Sequence, residues 1–215
     1  MSAVPKFAVG AAYGPVLTAT ELYLLQAAQG CKSLELNPIL QHSLKSFHLV
    51  FNLSNGATGG YDNAHSDKDL PFLVQDEPAT IPRVDTIHII SKISPWVTTV
   101  KASQSKRGVT LGDIVDATWA TYGDHNITEA EWKSLPVREQ ERVRRANMTN
   151  QMNANPAAGW NPAYFSPPAA NAKNFRRADW LKDKIFFDGL EQDDDYSAKR
   201  LGFKAPNVFI MSFCS

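Results

Sequence analysis

Residues 47–56 read Phe47-His48-Leu49-Val50-Phe51-Asn52-Leu53-Ser54-Asn55-Gly56. Phe47, Leu49, Phe51 and Leu53 alternate strictly with His48, Val50 and Asn52, which is the period of a half-buried strand. Ser54-Asn55-Gly56 ends it with strong turn chemistry. Beyond the turn, residues 55–70 are polar and Gly-rich and read as a surface loop. Residues 77–82 are an extended approach, because each Pro biases its predecessor away from helix. A second alternating run follows at 83–90, with Ile87 and Ile89 on one side and Val84, Thr86, His88 and Ile90 on the other. Pro95 breaks the chain. Trp96, Thr98 and Val100 then share one face of a third strand. Upstream, Thr18 and Glu21 have the spacing of a capping box. They open a helix over 18–28 whose Leu22, Leu25 and Ala28 recur at helical spacing, and Gly30 offers its stop.

The second half of the chain is helical in character. Thr110 and Asp113 repeat the capping-box spacing before the stripe Leu111, Ile114, Val115, Thr118 and Tyr122. Thr128 and Glu131 repeat it again, and Pro136 restarts the helix, as a first-turn proline can. The continuation to about residue 152 is charged on most faces, with few apolar positions, among them Val137, Val143, Ala146 and Met148. It is expected to pack shallowly. Residues 176–190 read as a short helix stopped by Gly189, and residues 191–195 as an acidic loop. Val208 to Phe213 is a compact apolar run suited to a final central strand. There is no βαβ rhythm and no internal repeat. The expected fold is α+β: a mostly antiparallel sheet of about four or more strands, with three to four helices packed on one face. Residues 1–215 are expected to form a single domain, with an N-terminal helical segment at 1–33 and a Pro-rich insertion at 153–172.

Composition narrows the partners. The chain has 215 residues, with 22 Lys+Arg against 22 Asp+Glu. Zero net charge removes the global basic footprint of a nucleic-acid binder. Hydrophobic residues make up 43%, which removes a disordered solvating chain. No apolar stretch near 18 residues long exists, so no membrane span is expected. Two cysteines, Cys31 and Cys214, are no disulfide framework. With no signal-like leader, the expected setting is the cytoplasm, and the sequons at Asn52, Asn126 and Asn147 carry little weight.

Motifs for chemistry are scarce. There is no phosphate-binding glycine loop, because no helix start follows Gly56, Gly59 and Gly60. There is no GxSxG elbow, and Cys214 has no evident imidazole partner. His48 and His88 fall on predicted strands, with Asp85 three residues before His88. Paired in register, both imidazoles would share one sheet face, where Asp62 or Asp76 could join them. Two histidines on a half-solvated face is the plainer reading, and neither metal nor cofactor is expected. Asp179 suits a helix N-terminus, where carboxylates are favoured. Beside it, Arg176 and Arg177 could meet an anion or a partner carboxylate. Glu141 and Arg145 have the spacing of a surface ion pair. Trp96, Trp119 and Trp180 fit core positions, whereas Trp132 and Trp160 lie in more polar contexts. Trp160, Tyr164 and Phe165 give the Pro-rich stretch an aromatic character that suits partner or ligand contact.

Several segments in shared order resemble a family of basidiomycete fungal proteins classed only as a domain of unknown function. They are LNPILQ at 36–41 before a strand ending FNLS, PATIP at 78–82 before DTIHI, and GVTLGDIVDAT at 108–118. EAEWKSLP at 129–136 and RRADWLKDKIFFDGL at 176–190 continue the series. The resemblance runs from about residue 34 to the end. It implies a fungal source and one α+β domain, and it brings no activity, cofactor or catalytic residue. The expectation is a cytoplasmic module that binds a protein partner or a small apolar molecule, with no nucleic acid and no membrane. The alternative is a motif-poor enzyme of fungal secondary metabolism, a cyclase, isomerase or hydrolase. Its acid–base groups would be His48, His88 and Asp85.

Overall fold

The computed structural model describes residues 6–10, 14–29, 34–62, 65–154 and 175–215. In chain order they form α1 (Ala19–Gln29), β1 (Glu35–Leu36), β2 (His48–Phe51), β3 (Thr58–Asp62), β4 (His65–Leu70), β5 (Thr80–Ile81), β6 (Thr86–Ser91) and β7 (Thr98–Lys101). Then come α2 (Leu111–Trp119), a π-helical turn (Ala120–Asp124), α3 (Glu129–Ser134), α4 (Val137–Ala154), α5 (Arg177–Trp180), β8 (Phe186–Glu191), α6 (Asp194–Leu201) and β9 (Val208–Cys214). The mixture is α+β, as the pattern implies.

The strands pair as β7-β6-β9-β8, β2-β3-β4 and β1-β5. Only β6 and β9 run parallel; the other pairs are antiparallel. The apolar run of β9 is central, as expected, because both its faces are covered. Phe209, Met211 and Phe213 join the main core, whereas Val208 and Ile210 join Ile90 in a smaller cluster. Tyr196, Leu201 and Ala205 cover that second cluster, so α6 lies on the face opposite the main core. The other two sheets are not isolated. Asn52 bridges Phe186, and the Leu53 N–H donates to Ile185 O at 2.8 Å, which ties β2 to the start of β8.

The capping boxes at Thr18, Thr110 and Thr128 all form. Leu111 and Ile114 of α2 are buried as the spacing implies, whereas of the α1 stripe only Leu22 is buried, with Leu25 half-buried and Ala28 exposed. The Glu141–Arg145 ion pair forms at 3.2 Å. Trp96 is buried, and Trp119 and Trp180 pack partly buried against the core. Trp132 is also buried, its ring stacked 4.7 Å from that of Phe175, so it ties α3 to the body.

Three expectations are overturned. Residues 55–70 are a tight turn followed by the hairpin β3–β4, not a loop. Their pairing is carried by backbone hydrogen bonds, which polar side chains and glycines do not advertise. Gly60 is required there, since a Cβ would stand 2.5 Å from His48 O and 2.5 Å from the Phe47 ring. Residues 176–190 are not one helix. Only Arg177–Trp180 is helical, and Phe186–Glu191 is a strand whose register shifts between Phe187 and Leu190. Gly189 takes φ +101° inside that bulge instead of stopping a helix. The acidic run at 193–195 opens α6. Asp193 Oδ1 accepts from the Tyr196 N–H at 2.9 Å, the role that short carboxylates fill at N-caps.

Helix α4 also departs from its reading. Val137 is exposed, while Val143, Asn147 and Asn150 are buried. The two amides each donate to Asp179 at 2.8 Å. Asp179 also accepts from the Arg176 N–H at 2.9 Å, the capping role expected of it. The charged helix is thus held to α5 by a buried polar contact rather than by an apolar stripe.

Candidate functional site

A groove lies beside β2, between the turn that follows β1 and the strap that follows β4. Ile39, Leu44 and Phe47 form one wall; Leu70, Leu73 and Val74 form the other. Its volume is about 470 Å³. The first wall is set by Asn37-Pro38. Asn37 Oδ1 accepts from the Ile39 N–H at 3.0 Å, an Asx turn that Leu40 N–H to Asn37 O reinforces at 2.9 Å. The second wall is set by Pro71 and by a turn in which the Glu77 N–H donates to Val74 O at 3.0 Å. Phe47 stacks on Phe72, with centroids 6.2 Å apart, across the two walls.

The groove has one fixed polar feature. The buried Asn37 amide donates to Glu77 Oε2 at 3.1 Å and to Pro78 O at 3.2 Å. This orients a carboxylate at the edge of an otherwise apolar lining. Phe7 packs at the same site, and Lys6 Nζ approaches Glu35 Oε1 at 2.6 Å alongside. Leu73 is 80% exposed at the rim. The pattern reading missed this place. Its signal was the apolar run Leu70-Pro71-Phe72-Leu73-Val74, flanked by acidic and polar residues and claimed by no helix or strand beyond Leu70.

The predicted histidines are not brought together. His48 lies on β2 and His88 on β6, in different sheets, because β8 and β9 intervene. His88 Nδ1 is 3.3 Å from Thr99 Oγ1. Asp85 Oδ1 is buried without a hydrogen-bond partner among the described residues, and Asp85 makes no ion pair with His88. Asp76 pairs with Arg107 at 2.8 Å instead of joining a histidine. Among the described residues no three His, Cys, Asp or Glu side chains converge as metal ligands.

His48 instead meets a histidine to which pattern reading gave no role. Its ring stacks 4.8 Å from Tyr61 and lies 4.1 Å from His42. His42 takes φ +53° and places its Nδ1 3.9 Å from Asp188 Oδ1. Burial first, and then the neighbouring His48, bring the His42 imidazole down to about 4, while Asp188 and the Leu49 carbonyl pull the other way. A second recess of about 450 Å³ lies on this side of the sheet, lined by Val50, Tyr61, Asp69 and Phe186. The exposed Cys214 thiol is pushed up by burial and by Asp188, which makes it a poor nucleophile.

The arginines face inward. The Arg177 guanidinium sits 4.7 Å over the Trp96 ring and 3.8 Å from Glu131. The Arg176 side chain stands near enough to Asp179 to favour its ionised form. Trp160, Tyr164 and Phe165, with most of the 153–172 stretch, lie outside the described residues. No helix among the described residues is long and apolar enough to cross a membrane.

A protein-family model described as "Family of unknown function (DUF6699)" matches residues 49–197. The chain belongs to this family. No curated protein and no solved structure matches it. The DUF6699 match contains the hairpin, the 70–77 wall of the groove, helices α2 to α5 and the first half of α6. The 37–47 wall and β9 fall outside it.

Proposed function

We propose that this DUF6699 chain is a binding module whose groove takes a small apolar molecule bearing one hydrogen-bond donor. The observation that carries the reading is the groove itself: about 470 Å³, apolar walls, and a Glu77 carboxylate held in place by Asn37. That volume is in the range of small-molecule sites, which are mostly apolar with a few placed polar groups. The exposed Leu73 gives the rim an apolar surface that a ligand would cover, at about 25 cal/mol per Å². The expected setting is the cytoplasm of a fungal cell, with the whole chain acting as one unit.

2-Naphthol, an apolar ring system with one hydroxyl donor, is a suitable probe. Isothermal titration should give saturable binding to the full chain. Leu73→Asp should weaken it by about tenfold or more, without loss of stability, because the side chain is exposed. Equal affinity in the variant contradicts the reading.

A second reading rests on His42, His48 and Tyr61 beside the 450 Å³ recess. Two imidazoles in contact, one of them half-buried on a left-handed backbone, suit acid–base chemistry of the isomerase, cyclase or hydrolase kind. His48→Ala is its test: turnover of any substrate found for the chain must fall, and unchanged turnover removes the reading.

A further inference from the structure

Arg83 is 6% exposed and has no carboxylate within ion-pair distance among the described residues. Its guanidinium is surrounded by carbonyls. Nη1 donates to Lys106 O at 3.2 Å and to Gly10 O at 3.5 Å, and Nη2 donates to Gly14 O. Nε is buried and has no hydrogen-bond partner among the described residues. Carbonyl dipoles solvate such a charge without neutralising it, and a buried uncompensated charge is costly.

A recess of about 260 Å³ opens beside it, lined by Arg83, Lys106, Arg107, Asp76 and Pro78 among others. Arg107 pairs with Asp76 at 2.8 Å. Three cations against one carboxylate leave two positive charges around the space. The turn carrying Lys106 and Arg107 is pinned against Arg83. Gly108 takes φ +72° there, and a Cβ on it would come within 2.9 Å of Val84 O and 3.1 Å of the Arg83 Cβ. The backbone of the turn is therefore fixed beside Arg83.

We infer that this recess is a binding site for a phosphate group. A phosphate dianion matches the two uncompensated charges, and its oxygens accept charge-assisted hydrogen bonds from the Lys106 ammonium and from the Arg107 N–H groups that Asp76 leaves free. The volume lies below that of sites for drug-sized ligands, which suits a compact ion or the head of a larger molecule. The site shares no lining residue with the apolar groove, although Asp76 and Pro78 flank Glu77, and it does not rest on what the groove binds.

The test is isothermal titration of inorganic phosphate, phenyl phosphate and acetate into the full chain at low ionic strength. Lys106→Ala/Arg107→Ala is the variant, because both side chains lie at the surface and their loss leaves the Arg83 clamp intact. Saturable phosphate binding, weakened about tenfold or more in the variant, is expected, with acetate weaker by a similar factor. Binding of phenyl phosphate as well assigns the site to a phosphorylated molecule, and its exclusion assigns it to the free ion. No saturable binding of either phosphate, equal binding by the variant, or acetate as strong as phosphate overturns the inference.

Discussion

The imidazole of His42 lies 4.1 Å from that of His48, centroid to centroid, with the planes at 43°. The His42 side chain is 11% exposed, and its neutral form is the one the fold accepts. In the unfolded chain the ring takes its proton near 6.5; in the fold it resists until about 4. Above pH 6.5 the ring is neutral in both states and has no effect. As pH falls from 6.5 towards 4 the unfolded chain binds the extra proton, so stability is lost, by roughly 3 kcal/mol at full effect. Urea midpoints measured between pH 7 and 4 should fall more steeply for the native chain than for His42→Asn. Asn tolerates the left-handed backbone and carries no titrating ring. Parallel curves for the two proteins would rule out His42 as the source.

Asp179 is fully buried and is shared by Asn147, Asn150 and the Arg176 N–H. Burial pushes its carboxyl up, while the two amides and the Arg176 N–H hold it back. Asp179→Ala removes the acceptor common to α4 and α5. The expected cost is about 3 kcal/mol or more, since several buried donors lose their partner at once. Asn150→Ala removes one donor and should cost about 1–2 kcal/mol. Chemical denaturation of both variants gives the comparison; similar values for the two would contradict the hub.

Gly60 and Gly59 are neighbours in β3 with different surroundings. A Cβ at Gly60 meets His48 O and the Phe47 ring, both at 2.5 Å, whereas at Gly59 the nearest atom is Leu70 O at 3.4 Å. Gly60→Ala should therefore destabilise by about 1–3 kcal/mol, the usual range for overpacking, and Gly59→Ala by less than about 1 kcal/mol. Thermal melts read the difference. Because Phe47 is a groove wall, Gly60→Ala should also weaken 2-naphthol binding.

The fold was legible where a periodic pattern coincided with a cap. The three Thr-x-x-acid sites, the alternation through Phe51 and the central run at 208–213 all formed as read. Legibility failed where backbone bonding outweighed hydropathy. Thr58–Asp62 pairs on both sides despite two glycines, and Phe186–Glu191 is a strand because it has partners at β9 and at Leu40, not because of its local period. The candidate site was the least legible part. The groove joins residues 37–47 to 70–77 through a hairpin read as a loop. Nothing in the pattern marked Arg83 or Lys106, because the carbonyl clamp around one and the turn carrying the other come from residues distant in sequence.

On the proposed reading, ligand enters between Leu44 and Leu73. The most direct measurement is a titration of 2-naphthol into the isotope-labelled chain, followed by amide chemical shifts. Saturable shifts are expected at Leu44, Phe47, Leu70, Leu73 and Val74, with little movement at Tyr61 and Phe186. Saturable shifts confined to the His48, Tyr61 and Phe186 face, or none at all, would contradict it.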